Sequence, residues 1–418
     1  MKALLLGILA STLLLAADER QLALLLKAQS DFDRVDLAAR PKLAEAQACI
    51  QSQAAAISVA DPGEKALLHF HQGVCTLADA YATRQKTQYL AAAAEFDQAI
   101  QSWPDRPRNN PKKTPPEPVS SAFPVYRALA RLLGSEGSEP ADAAKREISA
   151  ALEAPACNSN LMPADACRSV LTIGSLWVGW FALHANRFEE ALRRLPESPN
   201  TGWRQWAEGR REFEAARYAA AAPLYGTAIE RWKIIWQGEG PTFVQSLGPR
   251  PKLPVALADW GAARLLGGDL PGAISTLNAA LQADPKDAHA LFLRARAREL
   301  SGNKEQALAD YNLASRSAFA ASEDLASGEA HLYRGIGLYR RGEFSQAEEE
   351  FAASLSFEMS ETLRADARAW RHLAAVAAGS CSAARDSLNQ ALAGVSPYFP
   401  REEARSLSAA CGATSQRL

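Results

Sequence analysis

An all-α solenoid of antiparallel helix pairs is the fold this chain predicts, and three observations carry that expectation. Between Ala256 and Phe319 the sequence repeats with a period of 34 residues: Gly268, Ala273, Leu277 and Ala280 recur as Gly302, Ala307, Tyr311 and Ala314. A fixed period of this length marks helix pairs that bury their apolar faces only against their neighbours. Composition agrees, because alanine is abundant, glycine and proline are not enriched, and isoleucine or valine runs of strand length are scarce. Length agrees too: 418 residues exceed the size at which one compact core stops growing.

The repeat reduces to spacings. A small residue in the first helix is followed seven positions later by Gly or Asn at the turn, and two later by an aromatic or aliphatic residue. Alanine comes three further on, a large apolar residue four beyond that, and a second small residue three beyond that. Small residues let two helices approach, large ones fill the space between them, and the turn residue tolerates left-handed backbone angles.

Gly261, Gly268, Leu270, Ala273, Leu277 and Ala280 form one unit, closed by Asp284-Pro285. Ala295, Gly302, Lys304, Ala307, Tyr311 and Ala314 form the next, and Gly335, Gly342, Phe344, Ala347, Phe351 and Ser354 a third, displaced by six residues inserted near Ser322–Ser327. A weaker fourth runs His372, Gly379, Cys381, Ala384, Leu388, Ala391.

Upstream, Gly209, Ala216, Tyr218, Ala221, Tyr225 and Ala228 fit with Ala216 at the turn. Gly179, Asn186, Phe188 and Ala191 begin a unit whose second helix Pro196 and Pro199 cut short, and Gly73, Tyr89, Ala92, Phe96, Ala99 and Pro104 fit with a longer turn. Segments 18–60 and 122–154 read as helical with only a trace of the pattern.

This set resembles the tetratricopeptide repeat (TPR) family. The resemblance implies a right-handed superhelix whose first helices line a concave groove that holds an extended or helical peptide. It places Trp180, Trp206, Arg210, Phe292, Arg296, Tyr333 and Tyr339 on or near that face. Aromatic and arginine side chains supply large contact area at modest entropy cost, as interface anchors require. The family's carboxylate clamp, Lys and Asn on successive first helices, is not seen.

Two interruptions divide the chain. Residues 104–118 carry too many prolines for a helix and read as an exposed, partly extended loop. Residues 238–254 hold three glycines and four prolines, and the spacing from Ala221 to Ala273 is 52, so 18 residues are inserted there. The expected organisation is therefore a signal segment over 1–17, an N-terminal array over 18–237, a hinge or insertion over 238–254, and a C-terminal array over 255–418. A capping helix from Arg401 to Ala410 closes the last of these.

Met1-Lys2-Ala3, an apolar run from Leu4 to Leu15 and then Ala16-Ala17-Asp18 read as a secretory signal peptide. The run is shorter than the ~20 apolar residues that span a bilayer. Leu15 departs from the small residue that cleavage prefers, which keeps an uncleaved anchor as the alternative. Export to the periplasm or the exterior of a bacterial cell, with no stable membrane insertion after cleavage, is the expectation.

Six cysteines in three close pairs suit an oxidising compartment, most simply as Cys49–Cys75, Cys157–Cys167 and Cys381–Cys411. Other connectivities, and buried free thiols, stay open. No Cys-x-x-Cys pair is present, which disfavours zinc.

Net charge is −1, from 46 basic and 47 acidic residues well mixed along the chain. No global field exists to draw in nucleic acid or anionic lipid. No His-Glu-x-x-His, Gly-x-Ser-x-Gly or phosphate-cradling loop occurs, so neither an enzyme nor a cofactor is expected. Seven of the nine tryptophans lie between Trp177 and Trp260, and they either line the groove or pack between repeats. The expected function is a non-enzymatic protein–protein interaction scaffold or assembly factor of the bacterial cell envelope, binding a protein or peptide. The alternative is a small-ligand or glycan receptor that uses the tryptophans as a stacking surface.

Overall fold

The computed structural model describes residues 19–36, 42–103, 120–153, 155, 157, 164–197, 201–237, 247–321, 327–380, 387–392 and 394–414. The signal segment, the Pro-rich loop 104–118, the insertion around Ser322 and Cys381 therefore lie outside the described residues, as do residues 238–246 of the Pro/Gly-rich stretch. Every secondary-structure element among the described residues is helical. No described helix is long and apolar enough to cross a membrane. The chain divides into two compact units, residues 1–207 with 230–250 and residues 208–229 with 251–418.

The first unit is built from α1 (Glu19–Asp36), α2 (Leu43–Val59), α3 (Pro62–Thr83), α4 (Lys86–Gln101), α5 (Ala122–Gly134), α6 (Ser138–Glu153), α7 (Ala164–His184) and α8 (Phe188–Arg194). Each helix packs on its sequence neighbours. α8 ends after seven residues, before Pro196. Gly73 of α3 lies against the Phe96 ring of α4, and a Cβ there would stand 2.6 Å from a ring carbon. The core is aromatic, with Phe70 stacked on Phe123 at 4.4 Å and Phe96 on Tyr126 at 5.4 Å. Disulfides join Cys49 of α2 to Cys75 of α3, and Cys157 to Cys167 of α7.

His71 of α3 is 7% exposed and stacks on Phe32 of α1 at 3.8 Å. Burial pushes its pKa down to about 3. The folded chain thus keeps the ring neutral, while the unfolded chain takes up a proton below about pH 6.5. This contribution to stability is complete above about pH 6.5 and is lost as the pH falls from there towards 3. At about pH 4.5 the loss is roughly 2–3 kcal/mol, and His71→Phe is expected to remove that part of the pH dependence. Urea midpoints of both chains at neutral and acid pH check this; parallel profiles would contradict it.

The second unit stacks helix pairs in which α11 (Leu253–Leu266), α13 (Ala288–Leu300), α15 (Gly328–Arg340) and α17 (Glu361–Ala377) come first. α12 (Leu270–Ala283), α14 (Lys304–Ala321) and α16 (Phe344–Ser354) are the second helices of the first three pairs, and α18 (Arg401–Thr414) closes the series. α9 (Trp203–Glu214) and α10 (Tyr218–Gln237) contribute residues to both units. The small-to-large spacing is a physical contact: Gly209 faces Tyr225, Gly261 faces Leu277 and Gly335 faces Phe351. Four of these helices, α12, α13, α15 and α17, are N-capped by side chains, Asp269, Asp287, Ser327 and Ser360, each accepting the backbone N–H three residues on, whereas Lys252 and Glu343 supply no such cap to α11 and α16.

The turn between paired helices is also one recurring object. Asp269 donates its N–H to Arg264 O at 2.9 Å, Asn303 to Arg298 O at 2.8 Å and Glu343 to Leu338 O at 3.0 Å. These bonds close a left-handed residue, Gly268, Gly302 or Gly342, with φ between 82° and 84°. Ala216 occupies the same place at φ 56°. An alanine there is strained by roughly 1–2 kcal/mol, offset in part by the greater unfolded-state freedom of glycine. Ala216→Gly is therefore expected to stabilise the protein by about 0.5–1 kcal/mol, read as a higher urea midpoint; an unchanged or lower midpoint would contradict the strain.

Candidate functional site

The first helices of the second unit present a common face, and the chain's own residues 395–403 lie on it. Pro397 and Pro400 fix the backbone and withhold N–H donors, so the segment between them turns without forming a helix. Tyr398 packs edge-on against Phe292 of α13 at 6.2 Å and against His289 at 6.4 Å. Phe399 meets Trp370 of α17 edge-on at 5.2 Å. Ser396 donates its backbone N–H to Asp366 Oδ1 at 2.7 Å, and burial pushes the Asp366 carboxyl up despite that bond. Arg401 donates to the carbonyls of Ser396 and Val395 at 3.1 and 2.6 Å, holding the turn.

A charged ladder crosses the same face. Glu299 of α13 accepts from Arg296 Nη1 at 2.5 Å and from Tyr311 OH at 2.7 Å. Arg340 of α15 reaches the other Glu299 oxygen with Nε at 2.7 Å, as an ion pair without hydrogen-bond alignment. Its Nη1 donates to both carboxylate oxygens of Glu403 at 2.8 Å, and Tyr339 OH donates to the same carboxylate at 3.0 Å. The Arg340 guanidinium also lies 5.2 Å from the centres of the Tyr339 and Trp370 rings.

Phe292, Arg296, Tyr333 and Tyr339 thus sit on first helices, and all four are buried. Phe292 stacks on Tyr333 at 4.9 Å, so the two form one aromatic floor. Arg210 of α9 is partly exposed and donates to Glu214 at 3.4 Å. Asp259 of α11 lies near Arg210 and His289, with its carboxyl pushed up by burial. Tyr398, Phe399 and Glu403 are the residues that sequence reasoning missed. Their one signal is an aromatic pair bracketed by prolines, which reads equally well as a linker.

Trp180 belongs to the first unit, as does Trp206, which stands one turn before Arg210 on α9. Trp180 is partly exposed and lies against His184 at 3.8 Å. Trp206 is buried and packs on Trp232 at 5.1 Å, as Trp203 does at 4.8 Å. Trp177 and Trp203 donate their indole N–H groups to Leu247 O and Pro249 O at 2.8 and 3.1 Å. This cluster therefore anchors the end of the Pro/Gly-rich stretch.

The first unit also holds an open cleft of about 350 Å³, lined by residues that include Gln47, Gln72, Asp79, Gln88 and Glu95. His69 Nδ1 lies 2.8 Å from Glu95 there. Thr76 donates its hydroxyl to Gln72 O, so it is not aimed at that histidine. Among the described residues no group of histidine, cysteine and carboxylate side chains could hold a metal ion.

No protein-family model and no curated protein matches the chain. Among solved structures it is similar to a tetratricopeptide repeat protein from Parabacteroides merdae, at 12% identity over 78% of this chain and 99% of that one, TM-score 0.38. Yeast Tom70 is similar at 11% identity over 96% and 97% of the two chains, TM-score 0.37. A monomeric mutant of IFIT1 with Gppp-AAAA is similar at 12% identity over 93% and 85%, TM-score 0.39. The fold assignment, an all-α solenoid of antiparallel helix pairs, rests on the chain's own turns, small-to-large contacts and stacked pairs.

Proposed function

We propose that this solenoid is a non-enzymatic scaffold or assembly factor of the bacterial cell envelope, and that it binds a protein or peptide on its first-helix face. One observation carries the reading. The face of the second unit accommodates a non-helical stretch, residues 395–400, through aromatic contacts and a backbone N–H captured by Asp366, and it holds the first turn of α18 through the Glu403 carboxylate captured by Arg340. Those are the contacts by which a groove holds a peptide from another chain. Two disulfides and an N-terminus that reads as a signal peptide support an exported protein.

The receptor alternative draws less support. Trp203, Trp206 and Trp232 pack on one another, leaving little indole face for a sugar ring.

Calorimetric titration of the intact chain with a peptide library and with an oligosaccharide panel separates the two readings. Heat from peptides alone is expected; heat from sugars alone would sink the scaffold reading. Export has its own check in the mass of the mature chain, expected to begin at Asp18. A chain retaining Met1 in the envelope would refute cleavage.

A further inference from the structure

The segment on the first-helix face covers the very residues that a peptide-binding solenoid should offer. Phe292 and Tyr333 are 8% and 2% exposed, and Tyr398 lies at the rim of that floor. Trp370, at 2% exposure, touches Phe399, Tyr339 and Phe351. From these contacts we infer that residues 395–403 are a built-in, displaceable ligand of the second unit. The partner that displaces them is a peptide of the same chemistry: two adjacent aromatic side chains, a backbone N–H just before them, and a carboxylate about one helical turn after. This rests on the scaffold reading above and specifies its ligand.

The electrostatics of the face permit two states. Arg340 is paired on both sides, with Glu299 of the solenoid and Glu403 of the segment. When the segment leaves, Glu299 still faces the guanidinium, so the cation is not left without a partner. Asp366 behaves differently. It accepts hydrogen bonds from Ser396, and Arg401 of the segment is a cation near it. Departure leaves a carboxylate that needs a new donor, and an incoming peptide backbone supplies one. The face is thus stable enough to open and incomplete enough to demand a replacement.

The segment itself is suited to leave. Pro397 and Glu402 are exposed and Tyr398 is partly exposed, so the buried anchors to be released are Val395, Ser396 and Phe399. Its turn is tied by Arg401 to the start of α18, so the turn and the first turn of that helix move together. Opening of this kind draws on the low-stability end of a protein's local equilibria.

The test uses a fluorescent peptide spanning residues 395–405 and the full-length chain, wild type and Tyr398→Ala/Phe399→Ala. Anisotropy is expected to show at least ~10-fold tighter binding to the double variant, because its resident segment no longer competes. Arg340→Glu in that background is expected to abolish the gain. A folded double variant, judged by circular dichroism, that binds no more tightly than wild type would overturn the inference.

Should the double variant misfold, hydrogen exchange on the wild type decides. Residues 395–405 are expected to exchange at least ~10-fold faster than α13 and α15, and equal protection would overturn displaceability. If the double variant binds library peptides that lack the aromatic pair and ignores the 395–405 peptide, this inference fails and the scaffold reading stands. If it binds no peptide at all, both fail.

Discussion

Phe351→Ala is expected to destabilise the second unit by about 3–5 kcal/mol, the range for emptying a fully buried aromatic site. The ring is 0% exposed, stacks on Trp370 at 5.9 Å and fills the space opposite Gly335. A Cβ on Gly335 would stand 2.5 Å from a ring carbon, so the two positions are complementary halves of one contact. The reciprocal change, Gly335→Ala, is expected to cost about 1–3 kcal/mol by overpacking. Combining Gly335→Ala with Phe351→Leu should cost less than the sum of the single changes. Urea unfolding followed through Trp370 fluorescence measures both, and strict additivity would contradict direct contact.

Asp310→Ala is expected to cost about 3 kcal/mol through an uncompensated pair of guanidiniums. The Asp310 side chain is 2% exposed. It accepts from Arg294 Nε and Nη2 at 2.9 and 2.7 Å, and from Arg298 Nη1 at 2.6 Å. Arg294 Nη1 reaches on to Asn278 of the preceding pair at 2.8 Å, so one carboxylate couples three helices. The two arginines keep 15% and 18% exposure, which places the expected loss at the lower end of the range for buried pairs. Replacing all three charged residues by apolar ones of similar volume should cost much less. If the single change and the triple change prove equally damaging, packing and not charge carries the site.

The fold was legible because its two determinants are local and periodic. Gly261 and Leu277, or Gly335 and Phe351, are 16 residues apart, and that spacing is the helix pair itself. The left-handed turn was legible where glycine marks it, and it persists at Ala216, where propensity argues against it and the flanking helices override the local preference. The tryptophans were not legible in the same way. Periodicity places Trp203 and Trp206 on a helix. It does not reveal that Pro249, more than forty residues on, supplies the carbonyl that takes up the Trp203 indole N–H.

The face of the second unit divides along the same line. That Phe292, Tyr333 and Tyr339 share the first helices follows from their register. That Tyr398, Phe399 and Glu403 cover them follows from a long return of the chain, which no period encodes. Cys381–Cys411 cannot be followed, since Cys381 and the side chain of Cys411 lie outside the described residues.

The central claim is that the first-helix face of the second unit recognises a peptide with an aromatic pair followed by a carboxylate. Selection from a random displayed-peptide library against full-length Tyr398→Ala/Phe399→Ala, with wild type as the counter-selection, tests it most directly. The account predicts enrichment of adjacent aromatic residues with Asp or Glu about one helical turn downstream, lost when Arg340→Glu is added. Enrichment of unrelated sequences that also bind wild type, or of none, would contradict it.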